Sequence, residues 1–269
     1  MTSPALVLPL PAQETLQFLE RALPAPPARV LEVGCGNGLV AAALAERGCT
    51  VDALDESLAP DPAASSAGGG RLRWIESNFL YFEGERAAAP YDVVLFTRSL
   101  HHISPIERAV ERAAALLAPG GRLVAEEFAF DQVDLRTAGW WYQTEQALVA
   151  EGVVAPPDPA FSGIRNPLGR WRAEHTHEPP LATAHGMLAA VRARFALEPA
   201  EEAPYLYRYA HDRVVSRPRA EGVARAIFEA EAGLIRERAI AAAGLRIVAT
   251  IEGAGMTDAG SGSGVAGTE

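Results

Sequence analysis

Hydrophobic and polar positions along this chain switch between two periods. From residue 11 to residue 23, Leu16, Leu19 and Leu23 fall at helical spacing and predict a leading amphipathic helix, which the segment "APPAR" breaks. Short apolar runs then alternate with helical stretches. "RVLEVG" reads as a buried strand, "LVAAALAERG" as a helix ended by Gly48, and "TVDALD" as a second strand. "PDPAASSAGGG" reads as a flexible turn before a third strand, "RLRWIES". "YDVVLFT" is a fourth strand, too apolar for a surface position. "PIERAVERAAALLAPGG" is a helix ending in Pro-Gly-Gly, and "RLVAEEF" a fifth strand. Strands alternating with helices of this length predict an α/β fold with a mostly parallel sheet and helices on both faces.

The pattern lapses after residue 130. Residues 131–190 carry Trp, Tyr, His and Pro in "TAGWWYQTEQALVAEG" and "GIRNPLGRWRAEHTHEPP", and read as a partly helical insertion or lid that forms a substrate pocket. Regularity returns with the helix "AHGMLAAVRARF", a strand-like "YLYRYA", a helix from Ala220 to Ala243 and a final strand, "LRIVATI". The expected organisation is a helical segment at 1–27, a core at 28–130, the insertion at 131–190, the end of the core sheet at 191–252 and a disordered tail at 253–269.

Composition narrows the class. The 269 residues are 49% hydrophobic and 22% charged, with a net charge of −10 and arginine as the only strongly basic residue. Such an acidic balance argues against a nucleic-acid partner. No apolar run reaches membrane-spanning length, and "MTSPALVLPLP" lacks a basic leading segment and is broken by three prolines, so a cytoplasmic protein is expected. Cys35 and Cys49 suggest no disulfide framework.

The chemistry concentrates in "VLEVGCGNG", Val30 to Gly38, a strand that runs into three alternate glycines and then a helix. Glycine is required where backbone turns sharply or lies against a ligand, because a Cβ would collide. A dinucleotide fingerprint would need glycine where Leu39 stands, and a phosphate loop would need a lysine that the chain lacks. The stretch resembles the first signature of class I S-adenosylmethionine-dependent methyltransferases, of the acid-x-G-x-G-x-G form. "VDALDES", "ESNFLYF", "YDVVLFTRSLHHI" and "LLAPGGRLV" follow in that family's order. The resemblance, strongest over residues 28–130, implies a Rossmann-like core that binds S-adenosyl-L-methionine.

By this resemblance Asp55 grips the ribose hydroxyls. Gly34, Gly36 and Gly38 let the backbone approach the methionine half, and Glu32 positions its ammonium. Asn78 stands where the family usually has an Asp reading the adenine amino group, Phe79 flanks the adenine, and Thr97 lines the cleft. Among small-molecule O-methyltransferases, including sugar-modifying ones, a Leu-His-His after strand four works with an acid ending strand five. His101 and His102 match the histidines and Glu127 the acid, although a histidine there also packs as structure. Alternation along the strand allows only one of Glu126 and Glu127 to face the cleft.

In the insertion, Trp140, Trp141 and Tyr142 are candidates to stack on an acceptor, while Arg165, Arg170 and Arg172 are candidates to meet an anionic one. His175, His177 and His185 read as pocket or surface residues rather than metal ligands. The tyrosines of "YLYRY" leave a pocket-lining role and a homodimer contact both open. The resulting expectation is methyl transfer to oxygen, nitrogen or electron-rich carbon of a small molecule in specialised metabolism. The alternatives are a protein that binds the sulfonium without methylating and, ranked lower, a nucleic-acid methyltransferase.

Overall fold

The computed structural model describes residues 6–84, 89–161, 163–215 and 217–251, so the tail expected from residue 253 lies outside the described residues. Helix α1 (Leu10–Ala22) precedes β1 (Arg29–Val33), α2 (Leu39–Glu46), β2 (Thr50–Asp55), a short α3 (Pro62–Ser66), β3 (Leu72–Glu76), β4 (Tyr91–Thr97), α4 (Ile106–Leu116) and β5 (Leu117–Phe128). The second half runs α5 (Leu135–Ala150), α6 (Pro167–Glu174), α7 (Ala184–Arg192), β6 (Phe195–Leu197), β7 (Glu201–Ala203), α8 (Tyr207–Arg213), α9 (Arg217–Arg236) and β8 (Gly244–Ile251). None of the helices among the described residues is long and apolar enough to cross a membrane.

The sheet order is β3-β2-β1-β4-β5-β8-β6, with β7 also paired to β8. Strands β1 to β5 are parallel, and β8 runs antiparallel to β5, β6 and β7. The chain builds outward from β1 to β3 and then returns to place β4 on the other side of β1. That reversal opens a crevice at the carboxyl ends of β1 and β4, the usual ligand position in an open α/β sheet.

Period-two alternation explains the two layers. Leu31, Val94, Phe96 and Leu123 bury one face under α4 and α7, and Val30, Val93, Leu95 and Val124 bury the other under α1 and α2. A third apolar cluster, with Phe128, Trp141, Trp171, Tyr205 and Tyr207 at its heart, joins the end of β5 to α5, α6, α8 and α9.

Several elements depart from their local pattern. "YLYRYA" is a turn leading into α8, not a strand. The buried Glu231 of α9 accepts the backbone N–H groups of Tyr205, Leu206 and Tyr207, satisfying the start of this helix from a remote position. Tyr205 and Tyr207 are buried within the chain, so neither offers a dimer contact. Helix α4 stops at Leu116, and "LAPGG" is already extended because Leu117 pairs with Tyr91 before a register shift. The turn "PDPAASSAGGG" holds the single helical turn α3, capped by Asp61, whose Oδ1 accepts from the Ala63 N–H at 2.8 Å. Helix α9 ends at Arg236, before Arg238 takes a positive φ of 56°.

Glu126 ties four elements together. Its Oε2 accepts from Arg208 at 2.8 Å and from the Thr15 hydroxyl at 2.5 Å, and its Oε1 accepts from Arg246 at 2.8 Å. Burial pushes this carboxyl up, but the two guanidinium groups and their hydrogen bonds outweigh that and hold it below the ordinary carboxylate value. Removing the acid strands two cations in a dry place. Glu126→Ala is therefore expected to cost about 3–5 kcal/mol of stability, as for other broken buried pairs, read from urea unfolding monitored by circular dichroism.

Candidate functional site

The carboxyl ends of the central strands converge on a cavity of about 420 Å³, within the roughly 300–1,000 Å³ range of small-molecule sites. Gly34 lines it from the loop after β1, Asp55 and Glu56 from the end of β2, and Asn78 and Phe79 from the turn after β3. Arg98, Ser99 and His102 line it from the segment after β4, and Pro179 arrives from the distant "HEPP" stretch.

The three glycines have different reasons to be glycine. A Cβ on Gly34 would sit 2.4 Å from Ser99 Cβ, so this residue lets the loops after β1 and β4 touch. Gly38 does not line the cavity. A Cβ there would meet the Trp74 indole at 2.1 Å, so Gly38 serves helix-to-sheet packing and not the approach of a ligand expected for it. Gly36 alone faces open space: it has a φ of 54°, and nothing lies within 4 Å of where its Cβ would be. Its N–H donates to Asp55 Oδ2 at 2.8 Å, while Asp55 Oδ1 accepts from Ser57 N–H at 3.1 Å. The carboxylate is thereby fixed at the cavity wall with lone pairs to spare.

Glu32 lies beneath this loop, 1% exposed. Its Oε1 accepts from the Thr97 hydroxyl at 2.7 Å, and its Oε2 has no hydrogen-bond partner among the described residues. Burial pushes the carboxyl up to about 7 against the weaker pull of Thr97, Arg98 and the Ala41 amide. Thr97 is thus a buried support for Glu32, not a wall of the cleft. Asn78 is more committed than its position suggests, since its Oδ1 caps the next turn by accepting from Leu80 N–H at 2.9 Å and its amide donates to Glu56. Phe79 is both cavity wall and core, packed edge-on to Phe96 at 5.5 Å.

The histidine pair divides in two. His101 is 3% exposed and Glu127 fully buried, with His101 Nδ1 2.5 Å from Glu127 Oε2. Glu127 also accepts the backbone N–H groups of Ser99 and Leu100 at 3.1 and 2.9 Å, so it shapes the turn and cannot touch an acceptor. His102 is exposed, lines the cavity, and lies tilted against the His101 ring with centroids 4.2 Å apart. Burial, the His101 ring and His177 lower its basicity against the opposing pull of Glu127.

The aromatic and basic residues of the insertion lie elsewhere. Trp140, Trp141, Tyr142 and Arg170 are absent from the walls of this cavity. Tyr142 donates its hydroxyl to Glu174 at 2.6 Å, and the Arg170 guanidinium lies 3.9 Å over the Tyr142 ring while pairing with Glu145 and Glu174. Trp140 is half-buried at the edge of the third cluster, and Trp141 packs against Tyr209 at 5.7 Å. His175 donates from Nδ1 to the Trp171 carbonyl at 2.7 Å, which leaves Nε2 to accept from the Tyr209 hydroxyl at 2.8 Å. Most of these contacts tie α5, α6 and α8 together over 25 to 34 residues of chain, and Tyr142, Arg165 and Arg170 line a separate cavity of about 370 Å³. Conversely, Arg98 and Ser99 were signalled by their place just after β4. Pro179 had no local signal.

The comparisons agree with this geometry. Residues 10–154, more than half of the chain, match the family model described as a methyltransferase domain. An uncharacterised methyltransferase of Mycobacterium bovis is 31% identical over 169 residues, covering 61% of this chain and 76% of that protein. A ubiquinone biosynthesis O-methyltransferase of Xylella fastidiosa is 35% identical over 116 residues, which are 40% of this chain and 45% of that one. The crystal structure of an S-adenosylmethionine-dependent methyltransferase from Mesorhizobium loti shares the fold, with a TM-score of 0.52 at 18% identity and coverage of 87% and 96%. The chain belongs to the methyltransferase-domain family, and it is an S-adenosylmethionine-dependent methyltransferase. The residues fit that group chemically: an unpartnered buried carboxylate oxygen at Glu32, an open backbone cradle at Gly36 and a fixed carboxylate at Asp55.

Glu32 gives a pH signature. Its folded-state value of about 7 stands above the ordinary 4.5, so the folded chain holds a proton that the unfolded chain releases. Its contribution to stability is fully present below pH 4.5 and falls as pH rises to about 7. Subtracting the Tm–pH profile of Glu32→Gln from that of the native chain is expected to reveal this decline. A difference that stays flat across the window would contradict it.

Proposed function

We propose that the protein methylates a small-molecule acceptor at oxygen, nitrogen or electron-rich carbon, in the cytoplasm and in specialised metabolism. The observation that carries this reading is that His102 is exposed in the same cavity as Gly34 and Asp55, so a proton acceptor and a nucleoside cradle share one space. S-adenosylmethionine, when bound, supplies an electrophilic methyl group. Asp55 would accept the ribose hydroxyls, the Oε2 of Glu32 would face the ammonium end, and Asn78 and Phe79 would flank the adenine. In-line alignment alone supplies roughly 7–11 kcal/mol of barrier reduction.

For an acceptor hydroxyl, His102 would take the proton as the new bond to carbon forms; for an acceptor ammonium it would take the proton first, freeing the nitrogen lone pair for attack. Its depressed basicity keeps it neutral, and so able to accept, at lower pH than a free imidazole. Glu127 and His101 act behind it as positioning residues: the acid fixes the turn and the inner ring, and the inner ring supports the outer. The acidic net charge of −10 supports a small acceptor over a polyanion. The ubiquinone-pathway relative, named as an O-methyltransferase, supports oxygen among the three acceptor atoms.

The test is isothermal titration with S-adenosylhomocysteine followed by an acceptor screen that reads its release from S-adenosylmethionine. Asp55→Ala is expected to weaken S-adenosylhomocysteine about ten-fold or more, through loss of charge-assisted hydrogen bonds. His102→Ala is expected to lower kcat by about 10²–10⁴-fold for a protic acceptor and to leave S-adenosylhomocysteine affinity nearly unchanged. The rise of kcat/KM with pH, centred below the ordinary histidine value of 6.5, should vanish in that variant. Equal losses of affinity and turnover would move His102 from proton transfer to cofactor binding.

A further inference from the structure

Beside the large cavity lies a smaller one of about 170 Å³, bounded by Pro11, Arg98, Tyr205, Arg208, Tyr209 and Asp212. Arg98 lines both spaces. It is half-buried, holds a positive φ of 63° that L side chains rarely adopt, and is fixed by its backbone N–H, which donates to the Glu126 carbonyl at 2.8 Å. Among the described residues its guanidinium forms no ion pair or hydrogen bond, whereas the neighbouring Arg208 and Arg246 both engage Glu126. Arg208 is 5% exposed and keeps an unsatisfied donor of its own: Nε is buried with no partner.

Two guanidinium groups with spare donors at one small hollow call for an anion, and a planar fork matches a carboxylate best. The remaining walls set its neighbour. Tyr205 lies stacked on Phe128 at 4.5 Å, and Tyr209 packs across the same cluster, so an apolar or aromatic body would continue from the charged end. Asp212 is the one acid lining the hollow; its side chain is 76% exposed and lies 3.1 Å from His211 Nδ1, which leaves its charge to solvent.

We propose that this hollow is the recognition subsite for a carboxylate on the acceptor, held by Arg98 with Arg208, so that the substrate class is a small carboxylic acid. The proposal rests on the methyl donor occupying the large cavity and specifies what lies beside it. Arg98 then bridges the two molecules: an acid anchored there places its body one side chain away from the cavity that His102 lines. A volume of about 170 Å³ suits a head group and not a whole drug-sized ligand, whose pockets start near 300 Å³.

The experiment uses the full chain and runs in two stages. S-adenosylhomocysteine is titrated first. Acetate and its neutral counterpart acetamide are then titrated into the S-adenosylhomocysteine-saturated protein at constant ionic strength, with binding followed by NMR shifts. Saturable binding of acetate, at least ten-fold tighter than acetamide, is expected. Arg98→Asn, chosen because asparagine tolerates a positive φ, is expected to abolish that preference while S-adenosylhomocysteine binds as before; Arg98→Lys should restore part of it. Failure of S-adenosylhomocysteine to bind overturns the donor reading and this one with it. Normal S-adenosylhomocysteine binding with no preference for acetate overturns the anion subsite alone. If Arg98→Asn weakens S-adenosylhomocysteine ten-fold but spares 5′-methylthioadenosine, the arginine serves the cofactor's own carboxylate and the proposal is overturned.

Discussion

The site depends on one steric constraint, the contact between Gly34 and Ser99. Only a residue without a side chain lets the loop after β1 lie against the loop after β4 at this distance. Ser99 then fastens the junction, donating its hydroxyl to the Val33 carbonyl and its backbone N–H to Glu127 at the end of β5. Three parallel strands are thereby locked together at their carboxyl ends, where the crevice opens. A larger residue at position 34 would wedge the strands apart and misplace every side chain that follows them.

Once that junction is set, polar groups sort by whether they find partners. Asp55, Asn78 and Glu127 are each fixed by backbone N–H groups, which makes them rigid. Glu32 and Arg98 retain unspent hydrogen-bonding capacity, at one oxygen and at a whole guanidinium group respectively. Buried polar atoms that lack partners carry a desolvation cost; among the described residues they are the Oε2 of Glu32 beneath the glycine loop, the Nε of Arg208 and the hydroxyl of Tyr207.

Much of the fold was legible because its first half is locally consistent. The strands from β1 to β5 are apolar runs bounded by glycine, proline or polar turns, and their helices carry matching periodicity. The glycine loop, Asp55 and the histidine pair were legible for the same reason, since they sit at fixed offsets from strand ends. What escaped notice was set from far away. Helix α8 begins where Glu231 collects three N–H groups, a partner 24 to 26 residues distant. Tyr142 and Arg170 line a separate cavity and pair with Glu174 and Glu145, partners 25 to 32 residues away that no local pattern announces. Gly38 shared a motif with Gly36 but answers to Trp74, a residue on another strand.

The adjacent acids at the end of β5 have a consequence for how the chain must fold. Glu126 and Glu127 point to opposite faces of one strand. The first neutralises a scaffold of arginines, and the second organises the turn beneath the outer histidine. Sliding β5 by a single position would put Glu126 in the place of Glu127 and Ala125 opposite the arginines, leaving Arg208 and Arg246 bare. The reactive centre and the register of the sheet are thus specified by the same pair of letters. A chain that paired its strands wrongly would lose activity and solubility together instead of lingering as a folded but idle enzyme.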